Sequence, residues 1–519
     1  MLRRCSRLLV ALLAALALAG PASAASSLIV GVSDDHLKTE SSKAADAIAD
    51  LGLSAARLTA DWRPGQVSLA NHDVVAIQRA LGASPGTRLV VALYADDPDF
   101  APRTPQAREE YCSTALSLLK LFPRVNDVVI WNEPNKSTFW KPQFTAGGSS
   151  AAPGEYAALL AHCYRVLHAY RASVNVVHAG LSSTGNDRPD AESNVSHSPG
   201  HFIVEEGDAL RSGAVGRALA GAPGQLFDTF NHHPYGSTPG EPVWKRHDAS
   251  STIALGDWQK LMQALWDGFA GTPQPLPGEH GVTIWYLEIG FQTLIDPGQV
   301  TRYVGRENVE AIPALSYGLQ GVANGEQAPD QATQFVDAIR LAYCQPYVGA
   351  VFNFLLKDER DLSRWQSAPI WVDWTPKGSY DALQRVIREV RTRSVDCSRI
   401  PGGPVKPFQP KVGVDLEQVQ WPQSRSFSWR NQVWRFRVQT GENATYEATL
   451  YRLGQRKTPV LTTSGTLRRL YLSWVRFPDR RLAPGRYSME VVLQSEEVSS
   501  RRTRLGGPAF VVRAKGQKG

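Results

Sequence analysis

The stretch "DVVIWNEPNKSTFW", residues 127–140, joins a short apolar run directly to a polar cluster. Val128 to Ile130 have the character of a buried strand, and Asn132 and Glu133 follow within three residues. Burying a carboxylate beside an indole costs desolvation energy, so strands do not usually end in this way. The end of this strand is therefore the first candidate site in the sequence.

Seven further apolar runs lie between residues 28 and 393, and stretches with helical periodicity separate them. Strands that alternate with helices are typical of β-α units on a parallel sheet. Eight such units predict an α/β fold, a closed (β/α)₈ TIM barrel. The predicted strands begin at Leu28, Ser54, Thr87, Asp127, Val174, Phe227, Val282 and Val348.

A second folded unit is expected because 519 residues exceed what one hydrophobic core usually supports. After Cys397 the chain is rich in Pro and Gly, which is typical of a linker. Beyond it Trp434, Phe436 and Val438 alternate with arginines, which predicts a small antiparallel β-sandwich. We therefore predict an export signal over residues 1–24, a barrel over 25–398, a linker over 399–412 and an accessory sandwich over 413–519.

The first residues have the features of an export signal. Arginines precede an apolar run from Leu8 to Ala19, and the small residues Ala22 to Ala24 resemble a cleavage site. No later stretch reaches about 18 uninterrupted apolar residues, the length that spans a bilayer. We predict a secreted protein, in the extracellular or cell-envelope space, without a transmembrane segment.

Four cysteines remain beyond the predicted signal, an even number for a chain exported to an oxidising compartment. Disulfide bonds are the expected use, and four cysteines allow three pairings. Our hypothesis pairs Cys112 with Cys163 and Cys344 with Cys397.

Charge is unevenly distributed along the chain. Residues 401–519 contain 21 Lys and Arg against 8 Asp and Glu, a net charge of +13, whereas residues 1–400 contain 35 and 41. A functional interpretation is attraction to an acidic polysaccharide or an anionic cell surface. The simpler interpretation is a soluble basic face, which we favour because the arginines are spread over many predicted strands. No nucleic-acid recognition motif occurs, and predicted export also argues against a nucleic-acid partner.

Polar residues stand at several predicted strand ends, where parallel barrels place their reactive groups. Glu133 follows strand four, Glu288 ends strand seven, and His232 and His233 end strand six. Hydrolysis of an acetal requires two carboxyl groups on either side of the bond, one to donate a proton and one to stay ionised. The two glutamates fit that requirement.

The motif "WNEPN" at residues 131–135 resembles a motif of the clan A glycoside hydrolases. The barrels of that clan carry an Asn-Glu acid/base pair after strand four and a nucleophilic Glu at the end of strand seven. Family 39 and its relatives are closest in motif, because "FW" follows there as it does here. "HPY" at 233–235 and "WTPKGSYDAL" at 374–383 also fit, and the resemblance covers roughly residues 28–393. Two departures are "YLEIGFQT" around strand seven and Phe354, where the clan often has Trp.

The resemblance implies that Glu133 is the general acid/base and Glu288 the nucleophile. Other residues would orient these two or bind the sugar, and Trp371 is an alternative to Trp365 as the aromatic platform. The implied supporting residues are Arg57, Asn132, His233, Tyr235 and Trp365. Core packing is the default role of any single Trp, but Trp62 and Trp140 lie in loops after strands, so we expect these two to stack on the sugar.

These features predict a secreted retaining glycosidase acting on an oligo- or polysaccharide. Two alternatives remain open, a glycan-binding barrel without turnover and a transglycosylase acting on cell-wall or exopolysaccharide. No organic cofactor motif occurs, and "HHPY" lacks a partner at metal-ligand spacing, so neither a cofactor nor a metal is expected. Asn135-Lys136-Ser137 matches a glycosylation sequon, but its place in the candidate site argues against its use.

Overall fold

The computed structural model describes residues 28–515 apart from short gaps. The predicted export signal, residues 1–24, lies outside the described residues. The chain divides into two compact units, one ending at Phe408 and the other beginning at Gln409. The gaps are residues 222–223, 249, 307–309, 316–328, 415, 423, 425, 429–431, 433, 455–457, 469–470, 497 and 499–500.

Eight parallel strands form a closed barrel in the first unit, which confirms the predicted fold. They are β1 (Ile29–Ser33), β2 (Ala55–Asp61), β3 (Arg88–Tyr94), β4 (Asp127–Ile130), β5 (Asn175–Val177), β6 (Thr229–His233), β7 (Thr283–Ile289) and β8 (Val348–Phe354). Each strand pairs with the next along the chain, and β8 pairs with β1, where Asn353 lies opposite Val32. A two-residue strand, Leu181–Ser182, pairs beside β6.

Side chains from alternate strand positions fill the barrel interior. Trp285, Leu287 and Phe352 supply most of the volume, and alanines on neighbouring strands leave room for them. Gly31 of β1 faces the ring of Phe352, where a Cβ atom would lie 2.7 Å from a ring carbon. The interior is a packed core, so the site must lie above it, at the C-terminal ends of the strands.

One long helix follows each barrel strand. They are α1 (Ser41–Leu51), α2 (Asn71–Ala83), α3 (Pro105–Leu121), α4 (Ala152–Tyr170), α5 (Pro199–Arg211), α6 (Trp258–Phe269), α7 (Gln331–Cys344) and α8 (Tyr380–Arg391), with shorter helices at His36–Thr39 and Ala214–Leu219. Helix α3 starts at a proline after Thr104, whose hydroxyl accepts the N–H of Ala107. Among the described residues, no helix combines the length and apolar character needed to cross a membrane.

Two disulfides brace the helical layer, and both follow the predicted pairing. Cys112 of α3 is bonded to Cys163 of α4, which joins two neighbouring helices. Cys344 at the end of α7 is bonded to Cys397, which follows α8.

The second unit is a β-sandwich, as predicted. Its strands are β9 (Leu416–Gln420), β10 (Ser426–Ser428), β11 (Arg435–Thr440), β12 (Ala444–Leu453), β13 (Thr458–Leu467), β14 (Ser473–Arg476), β15 (Gly485–Ser495) and β16 (Arg502–Arg513). One sheet has the order β9-β11-β14 and the other β10-β16-β15-β12-β13, with β10 and β16 parallel and all other pairs antiparallel. Phe436 and Val438 of β11 and Tyr487 and Met489 of β15 meet in a shared core.

Candidate active site

Glu133 follows β4 in a backbone conformation that few non-glycine residues adopt. Trp131 has a φ of 77° and Glu133 a φ of 35°, both in the left-handed region. The backbone N–H of Trp131 donates to the carbonyl of Leu93 at 3.0 Å, and its indole N–H donates to the carbonyl of Phe139 at 2.9 Å. Strained residues persist where their surroundings over-determine them, and they concentrate at functional sites. This turn places Glu133 in the wall of a cleft at the barrel mouth.

Arg57 of β2 connects the turn after β4 with the end of β7. Its Nη1 donates to Glu288 Oε1 at 2.5 Å, and its Nη2 donates to Asn132 Oδ1 at 2.9 Å. The arginine is 4% exposed, so both charge-assisted bonds lie in a water-poor setting where they are strong. One guanidinium therefore fixes the position of Glu288 and the orientation of Asn132.

His233 lies between the two glutamates. Its Nδ1 is 2.9 Å from Glu133 Oε1 and 3.6 Å from Glu288 Oε2, and the ring is fully buried. The hydroxyl of Tyr235 bonds to Glu288; burial, and then the charges of the two glutamates, raise the pKa of Tyr235 well above its ordinary value, so the hydroxyl stays a donor. The structure thus brings together six of the predicted residues: Arg57, Asn132, Glu133, His233, Tyr235 and Glu288.

The same cluster could in principle hold a metal ion. One oxygen from each of Glu133 and Glu288 and one ring nitrogen of His233 lie within 4.8 Å of one another. Arg57 argues against a cation there, because its guanidinium is bonded to Oε1 of Glu288 and would repel another positive charge. The residues around Glu133 and Glu288 therefore fit a pair of carboxyl groups with different hydrogen-bond partners better than they fit a bound cation.

Five of these six residues line a cleft of about 930 Å³, and the buried His233 lies behind them. Trp365 also lines it and is 38% exposed, with its ring centroid 5.5 Å from those of both Tyr235 and Phe354. Trp371, the alternative platform, is 3% exposed. Of these two indoles, Trp365 is the one that presents a surface to the cleft.

Tyr94 and Asp34 are among the cleft residues that were missed in the sequence. Tyr94 is the last residue of β3, so its place at a strand end is the signal that could have found it. Burial raises the pKa of Tyr94 well above its ordinary value, with Arg57 opposing the rise and Glu288 adding to it. Asp34 follows β1 and accepts the backbone N–H of Leu356 at 2.7 Å, which ties β1 to the loop after β8.

Trp62 and Trp140 do not have the positions expected of sugar-stacking residues. Both are 0% exposed. Trp62 packs against Tyr111 and Trp131, and Trp140 packs between Trp131 and Tyr156, all at centroid distances of 6.3 Å or less. Tyr111 belongs to α3 and Tyr156 to α4, so the two indoles are part of an aromatic core that joins these helices to Trp131 of the Glu133 turn, and neither has a face free for a sugar.

Two other polar residues of the motifs have structural contacts. Asn135 is fully buried, and its amide Nδ2 donates to the carbonyls of Ser182 and His197 at 3.2 and 3.0 Å. The sequon at Asn135 is therefore inaccessible in the folded chain. His232 is also buried; its Nε2 is 2.7 Å from the carbonyl of Ile253, and burial lowers its pKa to about 3.

Comparison with known proteins yields similarity of structure only. Neither a protein-family model nor a curated protein matches the sequence. A β-glucosidase from Thermotoga maritima in complex with deoxynojirimycin has a TM-score of 0.45 at 12% identity, covering 69% of this chain and 87% of its own.

Two further solved structures are similar to a lower degree. GH5_18 from Streptomyces cattleya in complex with GlcNAc has a TM-score of 0.43 at 12% identity, covering 78% of this chain and 85% of its own. A calcium-binding mutant of Bacteroides uniformis β-glucuronidase 2 has a TM-score of 0.41 at 9% identity, covering 94% of this chain. This chain spans 45% of that β-glucuronidase's length. At such low identity none of these similarities assigns the chain to a family.

Proposed function

We propose that this protein is a secreted, retaining glycoside hydrolase that cleaves O-glycosidic bonds of an oligo- or polysaccharide. The observation that carries the proposal is the spacing of Glu133 and Glu288, whose nearest carboxylate oxygens lie within 4.8 Å across the barrel mouth. Retaining enzymes hold their two carboxyl groups roughly 5 to 5.5 Å apart, whereas inverting enzymes leave a wider gap for a water molecule.

Glu288 is the proposed nucleophile. Its Oε1 is bonded to Arg57, and its Oε2 faces His233 at 3.6 Å, so the carboxylate is held from two sides. In the first step a carboxylate oxygen attacks the anomeric carbon, the bond to the leaving oxygen breaks, and a glycosyl ester forms on Glu288.

Glu133 is the proposed general acid and base. In the first step it gives its proton to the leaving oxygen. In the second step it takes a proton from water, the water oxygen attacks the anomeric carbon, and Glu288 is released. The bond between Glu133 Oε1 and His233 orients the carboxyl group for both transfers.

Asn132 and Trp365 are the proposed sugar contacts. Because Asn132 Oδ1 accepts from Arg57, its amide nitrogen is the group that can donate to the 2-hydroxyl, a contact that can strengthen in the transition state. Trp365 offers an apolar ring surface to the C–H face of a sugar. The closest family in motif, family 39 of clan A, remains a prediction from the sequence.

Turnover of a panel of aryl glycosides and polysaccharides tests the proposal. We expect hydrolysis of at least one substrate, and Glu288→Ala should abolish it. Glu192→Ala, a change at an exposed glutamate, is the matched control and should leave the rate unchanged. Hydrolysis that survives in Glu288→Ala would contradict the assignment.

Product analysis separates the alternatives to hydrolysis. Binding of glycans with no product from any of them would indicate a barrel without turnover. Longer glycans formed at high glycan concentration would indicate a transglycosylase, which uses the same residues but passes the glycosyl unit to a sugar hydroxyl instead of water.

A further inference from the structure

The outer face of the β9-β11-β14 sheet carries three arginines around one indole, which we call the Trp474 cluster: Arg435, Arg437, Trp474 and Arg476. The guanidinium carbons of Arg435, Arg437 and Arg476 lie 4.5, 4.2 and 5.9 Å from the centroid of the Trp474 ring. Trp474 is 38% exposed. Cation–π contacts of this kind hold the arginines in place while they face solvent.

Strand register explains why the four side chains share a face. In the antiparallel pair β11 and β14, Arg437 lies opposite Trp474 and Arg435 lies opposite Arg476. The intervening residues Phe436 and Val475 are buried in the sandwich core. The alternation of buried and outward residues therefore projects the whole cluster from one side of the sheet.

One pair within the cluster is unfavourable in the absence of a ligand. Like charges directly opposite one another in an antiparallel pair are destabilising, and Arg435 and Arg476 form such a pair. Among the residues that the structure describes, none of the three arginines forms an ion pair with a carboxylate. Elsewhere in the unit Arg501 pairs with Glu442 at 3.3 Å and Arg504 with Glu490 at 3.7 Å. Within the described part of the unit, the three guanidiniums therefore have the Trp474 ring as a shared partner and no carboxylate at ion-pair distance.

We propose that the Trp474 cluster binds a polysaccharide that carries carboxylate groups. A planar guanidinium forms two parallel hydrogen bonds with a carboxylate, and three guanidiniums held against one ring present such donors at fixed positions. Gln420 of β9 lies opposite Arg437 and adds an amide to the same face, which suits the hydroxyls between the charges of a sugar chain. The choice of a polysaccharide rests on the proposed glycosidase function of the barrel, whereas the anionic character of the ligand does not.

The cluster also changes the interpretation of the basic charge in this part of the chain. Arginines that are spread over many strands favour the interpretation of a soluble basic face. The three arginines of the Trp474 cluster, in contrast, all contact one side chain. Binding should therefore depend on their arrangement as well as on net charge.

Binding of polygalacturonate to the full chain tests the inference, with dextran as the neutral polymer. Glu288→Gln is introduced throughout so that the polymer is not cut during the measurement. We expect binding at about 50 mM salt that weakens strongly by about 300 mM, where charges are screened over a shorter distance, and no binding of dextran.

Two triple variants with the same loss of charge separate arrangement from net charge. Arg435→Gln with Arg437→Gln and Arg476→Gln should weaken binding at least about tenfold, as expected for loss of several charge-assisted bonds. The control triple, Arg452→Gln with Arg486→Gln and Arg502→Gln, changes exposed arginines of the five-stranded sheet and should weaken it no more than about twofold. Equal weakening by both triples would overturn the proposal.

Substitution of Trp474 tests the ring without changing the charge. Trp474→Ala should weaken binding several-fold, and Trp474→Phe, which retains an aromatic face, should recover most of it. Circular dichroism verifies that each variant is folded. Unchanged binding in Trp474→Ala, or binding of duplex DNA or phosphatidylglycerol vesicles with none of polygalacturonate, would overturn the proposal. Aryl glycoside hydrolysis, measured with Glu288 intact, should be unaffected by the cluster variants, so failure here and failure of the proposed function are distinguishable.

Discussion

Arg57 of β2 and Glu288 near the end of β7 form an ion pair of 2.5 Å, although two other strands, β8 and β1, lie between β7 and β2 in the barrel. The second amino group of the same guanidinium is bonded to Asn132, next to Glu133 in sequence. The relative positions of the two glutamates therefore depend on one buried side chain that would not itself take part in bond cleavage.

Replacing Arg57 by Lys should lower kcat on aryl glycosides about a hundredfold, because an ammonium cannot hold both Glu288 and Asn132 with fork geometry. Arg88→Lys is a matched control, since Arg88 makes two bonds to Asp127 near the N-terminal ends of β3 and β4, away from the cleft. Comparable losses of kcat in the two variants would contradict a positioning role for Arg57.

Glu133→Gln should show a loss that depends on the leaving group. With a poorly acidic leaving group the rate should fall about 10³-fold, the usual contribution of a general acid. A dinitrophenyl leaving group needs no proton, so the glycosyl ester on Glu288 should still form in the variant. Azide attacks this ester without the help of a base, so added azide should restore turnover and yield a glycosyl azide as the product. Equal losses for both substrates and no azide product would exclude Glu133 as the acid/base.

Trp365→Ala should impair substrate binding, whereas Trp140→Ala should lower the stability of the fold. Trp365 lies in the cleft, so its loss should raise KM roughly tenfold, about the value of one aromatic contact, with little change in the free energy of unfolding. Trp140 is fully buried, so its loss should lower the free energy of unfolding by about 3 to 5 kcal/mol. Urea unfolding and KM measured on both variants verify the contrast, and a stable Trp140→Ala with impaired binding would contradict it.

His201 of α5 should make stability depend on pH. Burial opposes its charge, but hydrogen bonds to Asp187 at 3.0 Å and Glu205 at 2.9 Å outweigh this and raise the pKa of His201 to about 10. Because the pKa is higher in the folded chain, protonation of His201 adds to the free energy of unfolding. This contribution is fully present below the pKa of the unfolded chain, about 6.5, and is lost as the pH rises toward about 10. His201→Gln should therefore cost about 1 kcal/mol at pH 6, a size typical of a partly exposed ion pair.

Urea unfolding of both proteins at pH 6, 8 and 10 measures this difference. The gap between wild type and His201→Gln should shrink steadily across the series. A gap that stays constant or widens toward pH 10 would contradict the pairing of a protonated His201 with the two carboxylates.

The barrel could be predicted because its determinants are local. Strands such as Arg88–Tyr94 are buried along most of their length and therefore appear in the sequence as continuous apolar runs. Glu133 and Glu288 could be found because the carboxyl ends of parallel strands meet at one rim of a barrel. Two positions far apart in sequence could therefore be placed near each other without knowing their side-chain conformations.

The aromatic residues could not be assigned in the same way. Trp62, Trp140 and Trp365 all lie in loops after strands, and an indole in a loop can fold back under the strand end or remain in the cleft. That choice depends on contacts distant in sequence, such as those of Trp140 with Tyr156 of α4. The Trp474 cluster was hidden for a related reason, since strand register decides which arginines meet.

The burial of Asn135 has a consequence for producing the protein. Asn135 is bonded through its amide to Ser182 and His197, yet its tripeptide is one that eukaryotic secretory cells modify before folding is complete. A glycan attached there would prevent the amide from reaching Ser182 and His197. We expect yeast or mammalian secretion to yield little active material unless the tripeptide is altered at Ser137, and intact-mass measurement of the secreted product would reveal whether the modification occurs.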